Sequence, residues 1–185
     1  MNRIQLLCGG VMVLAFLWSC QQQESRYRIQ NDQIGDLTPT TTVAELSAVF
    51  SQDSVVDRNN SSQFSNRNEI VVYDKGSQRE LLRLHPKTSF DSTSTIATVQ
   101  VMDTLFKTPE GLGIGTAFED LSAHYKIKRI ENTLGTAMIF LEGIPIYVDI
   151  DKSEIYEPTQ MGVEIEASQI KRRAKVKHLW LDWED

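Results

Sequence analysis

The feature that most constrains the fold is a correspondence of the chain with itself at an offset of 75 residues. Leu37 matches Leu112, Thr41 matches Thr116, Leu46 matches Leu121, Ser47 matches Ser122 and Ala48 matches Ala123. Val43 with Phe118 and Phe50 with Tyr125 extend the match as apolar counterparts. Self-similarity at a fixed period decides architecture, because each copy repeats one supersecondary unit.

Around each match the apolar residues fall at i, i+3 and i+7: Val43, Leu46 and Phe50, then Phe118, Leu121 and Tyr125. That spacing puts each trio on one side of a short helix. Thr42 with Glu45, and Thr116 with Glu119, have the spacing of a capping box, in which hydroxyl and carboxylate satisfy free amides at a helix start. These caps align at an offset of 74, one short of the apolar register.

Strand signals follow each helix in the same order. The first half offers Ser54 to Val56, Glu69 to Tyr73, Glu80 to His85 and Thr95 to Met102; the second offers Lys126 to Ile130, Ala137 to Leu141, Ile144 to Ile150 and Lys175 to Trp183. Alternation is clean in Ile144, Ile146, Val148 and Ile150 and in Ala97, Val99 and Val101, as expected of strands with one buried face. Gly76 and Gly143 suit tight hairpins. The expected fold class is α+β: a tandem repeat of one short helix and about four antiparallel strands, with the helices on one face of the sheet and the other face available.

The N-terminus reads as a leader. Arg3 is followed by an apolar stretch from Ile4 to Phe16 and then by Leu17-Trp18-Ser19-Cys20, the lipobox pattern of a bacterial lipoprotein signal peptide. The stretch is shorter than the roughly 20 apolar residues of a spanning helix. Residues 1–19 are expected to be removed, leaving Cys20 lipid-modified and the protein held to a membrane through it. Residues 20–34 would then hold the anchor, a tether and a first strand, with the two halves at 35–103 and 104–185. Gln21 in place of an aspartate favours the outer membrane by the retention rule of enteric lipoproteins. Gln21 to Glu24 resembles the polar-acidic tags of surface-displayed lipoproteins, so either face of that membrane stays open.

Without its leader the chain keeps 166 residues, enough for one domain with its own core. Cys8 would leave with the leader and Cys20 would carry lipid, so no thiol remains for a disulfide or a metal. Of 19 Lys and Arg, only Arg3 is lost, leaving 18 against 25 Asp and Glu and a net charge near −7. That balance argues against nucleic acid as a partner. Lys171, Arg172, Arg173, Lys175 and Lys177 form the one basic cluster, expected as a solvated strand face with anionic head groups as an alternative partner.

The stretch from Gly113 through Thr116, Glu119 and Leu121 to Tyr125 resembles the glycine, capped helix and tyrosine segment of small envelope lipoproteins. The doubled helix-and-four-strands order is similar to the β-lactamase inhibitor protein and the outer-membrane assembly lipoproteins grouped with it. The resemblance implies a binding module that holds another envelope protein on a sheet face or loops. The inhibitor family carries disulfides and two helices per unit, cues that this chain lacks.

No catalytic set is evident. His85, His124 and His178 all fall within expected regular elements, and neither a Gly-x-Ser-x-Gly elbow nor a His-x-x-x-His pair occurs. Asp149, Asp151 and Glu154 form the densest oxygen-ligand group, but lack the ligand number and sharp glycine turn of a calcium loop. Gly111, Gly113 and Gly115 alternate without the Gly-x-Gly-x-x-Gly of a dinucleotide site and read as the turn into the second helix. No cofactor or metal is expected. Candidate contact residues are aromatic: Trp180 and Trp183, whose odd and even positions put them on opposite faces of the last strand, and Phe64 in the polar loop Asp57 to Asn68. A carbohydrate or peptidoglycan partner, stacked on exposed tryptophan with a carboxylate pair nearby, is the alternative to a protein partner.

Overall fold

The computed structural model describes residues 25–58, 68–156 and 162–184. The expected leader (1–19), Cys20 and Phe64 lie outside the described residues. The fold is α+β, with one antiparallel sheet of eight strands and a few short helices. The strands are β1 (Asp53–Asp57), β2 (Ile70–Asp74), β3 (Glu80–Pro86), β4 (Ile96–Val101), β5 (Ile127–Asn132), β6 (Thr136–Leu141), β7 (Ile146–Asp151) and β8 (Val176–Asp182). Each expected strand is present, with ends within two residues of those read from alternation. The strand expected within residues 20–34 is reduced to single bridges, Arg28 to Lys107 and Ile29 to Ile34.

The sheet order is β1-β2-β3-β4-β8-β7-β6-β5. Two four-strand meanders therefore meet at their last strands, where Val99 faces Leu181 and Val101 faces Leu179. Along every inner strand the residues that point one way are closed from solvent. Leu82, Leu84, Val99, Val101, Leu179, Leu181, Val148 and Ile139 are all 0% exposed. The same apolar cluster takes in Ile29, Ile34 and Leu37 before the first helix, and Phe106 and Leu112 before the second. Leu46, Phe118 and Leu121 from the helices join it.

The first helix is a 3-10 turn, Val43–Glu45, running into α1 (Leu46–Val49); the second is α2 (Phe118–His124). The Thr42 cap forms as expected: the Glu45 carboxylate accepts from the Thr42 N–H and hydroxyl, both at 2.8 Å. The Thr116 and Glu119 cap does not form. The residue capping α2 is Ala117, and Thr116 Oγ1 instead accepts from the Gly113 N–H at 3.0 Å. Glu119 turns to Arg172 at 3.0 Å. What replaces the cap is backbone: Phe118 N–H donates to Ala174 O at 2.8 Å and Glu119 N–H to Arg172 O at 2.9 Å, so two of the orphan amides of the first turn are satisfied.

These bonds have counterparts in the first half. Val43 and Ala44 donate to Ser94 and Ser92 carbonyls, both at 2.9 Å. Thr41 Oγ1 accepts from Thr38 N–H at 3.1 Å, as Thr116 does from Gly113. Phe50 N–H closes on Leu46 O, as Tyr125 N–H closes on Leu121 O. The helix-side partners of these bonds are 75 residues apart.

The β6–β7 turn carries Gly143 at φ +77°, where a glycine costs least. In the β2–β3 turn the left-handed residue is Gln78, at φ +59°, not Gly76. Asp74 holds that turn by accepting from the Ser77 N–H at 2.7 Å and hydroxyl at 2.8 Å.

Candidate functional site

The sheet face turned away from the core is half-buried and chemically divided. Residues directly opposite one another across all eight strands form one row on it: Val56, Val71, Arg83, Gln100, Trp180, Tyr147, Phe140 and Arg129. Trp180 is placed there by its neighbours, since Leu179 and Leu181 both point into the core and alternate residues take opposite faces. Phe140 sits likewise between Ile139 and Leu141, and Tyr147 between Ile146 and Val148.

The second half of the row is an aromatic stack. Tyr147 and Trp180 lie 5.1 Å apart at 10°, and Phe140 and Tyr147 lie 5.4 Å apart at 27°. The Arg129 guanidinium closes the Phe140 end, 3.6 Å from the ring centroid, a cation–π contact. Glu131 holds Arg129 in place at 2.6 Å. Burial within this stack, with Asp182 and Asp149 nearby, pushes the Tyr147 phenol up to about 12. Tyr147 is thus covered by Phe140 and Trp180, and Phe140 by Tyr147 and Arg129.

The first half of the face is ionic. Arg58 pairs with Glu69 at 3.3 Å and Glu80 at 2.8 Å and also contacts the Tyr73 hydroxyl. Arg83 meets Glu80 at 2.6 Å. Burial disfavours the Glu80 carboxylate, but bonds from Arg83 and Arg58 outweigh it and hold its pKa below the usual glutamate value.

Beside the aromatic stack, Asp149 is buried and bonds His178. Its Oδ1 accepts from the His178 N–H at 3.1 Å, and His178 Nδ1 lies 3.0 Å from Oδ1 and 3.1 Å from Oδ2. The imidazole edge meets the Trp180 ring at 5.4 Å. A carboxylate that orients an imidazole is half of a hydrolytic triad. Among the described residues no hydroxyl or thiol is shown hydrogen-bonded to its Nε2.

The other candidates are dispersed. Trp183 is in the core, 7% exposed, with its Nε1 donating to Asn31 O at 3.3 Å; it faces away from Trp180 and supplies no surface. His85 Nδ1 lies 3.1 Å from Asn68 O, and His124 Nδ1 lies 2.9 Å from Asp120 O at the end of α2. Asp151 accepts from Ser153 and from Lys177, 3.1 Å away, which lowers it to about 2. Gly111 and Gly115 have φ of +86° and +85° in the turn before α2. Among the described residues no group of three or more His, Cys, Asp or Glu could hold a metal. A cavity of about 520 Å³ lies away from the row, lined by Arg26, Phe50, Asp53 and Phe106.

Sequence reasoning found Trp180 but missed its partners. The signal was present: Phe140, Tyr147 and Trp180 are aromatics at outward positions of three strands whose inward residues are aliphatic. Linking them required knowing that β6, β7 and β8 are neighbours.

No family model matches the chain, and no curated protein matches it. Among solved structures it is similar to the uncharacterized protein yfeY from Escherichia coli, with a TM-score of 0.53 and 17% identity over 84% of this chain and 99% of that one. At that identity the likeness shows a shared fold and assigns no activity.

Proposed function

We propose that this protein is a lipid-anchored component of a bacterial cell envelope, attached through Cys20, that acts as a non-catalytic binding or assembly module. Its binding surface is the sheet face built around Arg129, Phe140, Tyr147 and Trp180. The observation that carries this reading is the aromatic row on the face opposite the core. Tyr, Trp and Arg are the side chains that dominate protein interfaces, because they bring large contact area with few rotatable bonds. The outer membrane is the favoured address, and among the described residues no helix is long and apolar enough to cross a membrane.

The stacking geometry favours a protein over a sugar. A pyranose needs an open aromatic face, whereas here Tyr147 is covered on both sides and Phe140 is covered by Tyr147 and Arg129.

The finer architecture belongs to the same reading. Two related halves, each a short helix and a four-strand meander, descend from one duplicated unit, with the helices on the core side of the sheet. The 75-residue spacing of matching hydrogen bonds around α1 and α2 supports this.

The test is binding by the purified acylated protein. Its envelope partner, captured by crosslinking and then purified, should bind the unchanged protein and lose at least about tenfold in affinity to Trp180→Ala, the scale of an interface hot spot. Binding of peptidoglycan fragments that depends on Trp180 would instead establish the carbohydrate reading. Turnover of an envelope substrate abolished by His178→Ala would overturn the non-catalytic one.

A further inference from the structure

The route by which the chain joins the domain sets which side faces the membrane. The first described residue, Ser25, leads into Arg28, which bridges to Lys107 in the layer that covers the core side of the sheet. Ile29 N–H donates to Lys107 O at 2.9 Å, and Lys107 N–H to Tyr27 O at 3.1 Å. Ile29 and Phe106 point inward into the core, so this layer and the aromatic row are on opposite sides of the sheet. From Cys20 to Ser25 the chain spans at most roughly 18 Å fully extended. A lipid on Cys20 therefore holds this layer close to the bilayer.

One patch of this layer carries exposed cations. Arg28, Arg173 and Lys175 are exposed, and among the described residues none of them has an ion pair. Lys107, whose ammonium donates to Ile114 O at 3.0 Å, lies near Lys175, and burial together with that like charge pushes its pKa down. Leu105, 47% exposed, stands in the same loop. Cations near an anionic leaflet contribute about 1 kcal/mol each. Lys171, Arg172 and Lys177, by contrast, are already engaged by Glu154, Glu119 and Asp151.

We infer that the layer carrying Arg28, Leu105, Lys107, Arg173 and Lys175 docks on an anionic lipid surface, so that the aromatic row points away from the membrane toward its partner. The inference rests on the lipidation of Cys20 proposed above. It yields an oriented protein: the tether and cations hold one side, and the sheet presents the other.

With Cys20 acylated the mature chain has no other cysteine, so single reporters are clean. A bimane fluorophore is placed on Leu105→Cys or on Val56→Cys, the latter 44% exposed on the outward face of β1. The acylated proteins are bound to phosphatidylcholine vesicles with and without phosphatidylglycerol, each carrying a headgroup spin-labelled lipid. Quenching is expected at Leu105 and absent at Val56. Phosphatidylglycerol should deepen it, and the double variant Arg173→Glu with Lys175→Glu should lose that added quenching. Equal or greater quenching at Val56, or no effect of phosphatidylglycerol, would overturn the inference while leaving the anchor intact. Acyl mass on Cys20, read by mass spectrometry on the same sample, tests the anchor itself; without it the anchoring reading falls and takes the orientation with it.

Discussion

The indole of Trp180 and the phenol of Tyr147 lie 5.1 Å apart with their planes 10° from parallel. They belong to adjacent strands, β8 and β7, and face each other directly in the register. Phe140 and Arg129 continue the same line on β6 and β5. Four side chains from four strands thus form one rigid strip, fixed by backbone pairing rather than by loops. A partner that docks on it finds the surface already ordered and saves the entropy of assembling it.

Truncation of the two tryptophans, one in β8 and one at its end, should cost different amounts of stability. Trp183→Ala removes a core side chain and should cost about 3–5 kcal/mol. Trp180→Ala removes a partly buried member of the stack and should cost less, about 0.5–1.5 kcal/mol of aromatic contact added to the loss of its partial apolar burial. Urea unfolding of both variants measures the difference, and a larger loss for Trp180→Ala would contradict the assignment of faces.

Alkaline pH should weaken the fold in a defined window. Tyr125, raised first by burial and then by Glu110, and Tyr147 both ionise at about 12 in the folded protein against 10.0 as a reference. Between these values the unfolded chain has released protons that the native state retains, so stability falls as pH rises from 10 to 12. Phenolate absorbance should show two tyrosines titrating late, and stability measured over the same range should decline. Two tyrosines that ionise near 10 without unfolding would contradict it.

Acid should act through the other half of the open face and through Asp151. Glu80 is held below the usual glutamate value by Arg83 and Arg58, against its burial, and Asp151 is lowered to about 2 by Ser153 and Lys177. Both contributions are complete above the unfolded carboxylate pKa values and are lost as pH falls through the folded ones. Stability should therefore drop from about pH 4 toward pH 2. Arg83→Met should flatten part of this dependence, as carboxyl titration by NMR would report.

Glycine tolerance should separate the turn before α2 from the β2–β3 hairpin turn. A Cβ at Gly113 would meet Phe106 O at 2.4 Å, whereas at Gly76 its nearest neighbour is Asp74 Oδ1 at 3.4 Å. Gly113→Ala should cost about 1–3 kcal/mol, the range of an overpacked site, while Gly76→Ala should stay within about 0.5 kcal/mol. Thermal unfolding of the pair distinguishes them.

Several strands were legible because one buried face writes period-two alternation into them, as in β3, β4, β6 and β8, whereas β2 buries Ile70, Val71 and Val72 in a row. The first helix cap was legible for a similar reason, since Thr42 and Glu45 satisfy each other locally. The second was misread because Thr116 has the right spacing but its hydroxyl is spent on Gly113, and the free amides of α2 find carbonyls some 55 residues away. Gln78 took the left-handed position expected of Gly76 because Asp74 fixes that turn through Ser77. The aromatic row depends on which strands are neighbours, a non-local fact that no single strand encodes.

Site-specific photo-crosslinking in living cells addresses the central claim most directly. A benzophenone amino acid is placed at Met138, which neighbours the aromatic row on β6, or at Phe90, 79% exposed in the β3–β4 turn. A single envelope protein crosslinked from Met138 and not from Phe90, and lost when Trp180→Ala is added, is the expected result. Adducts of equal yield from both positions, or none from Met138, would contradict the claim that this sheet face is where the protein holds its partner.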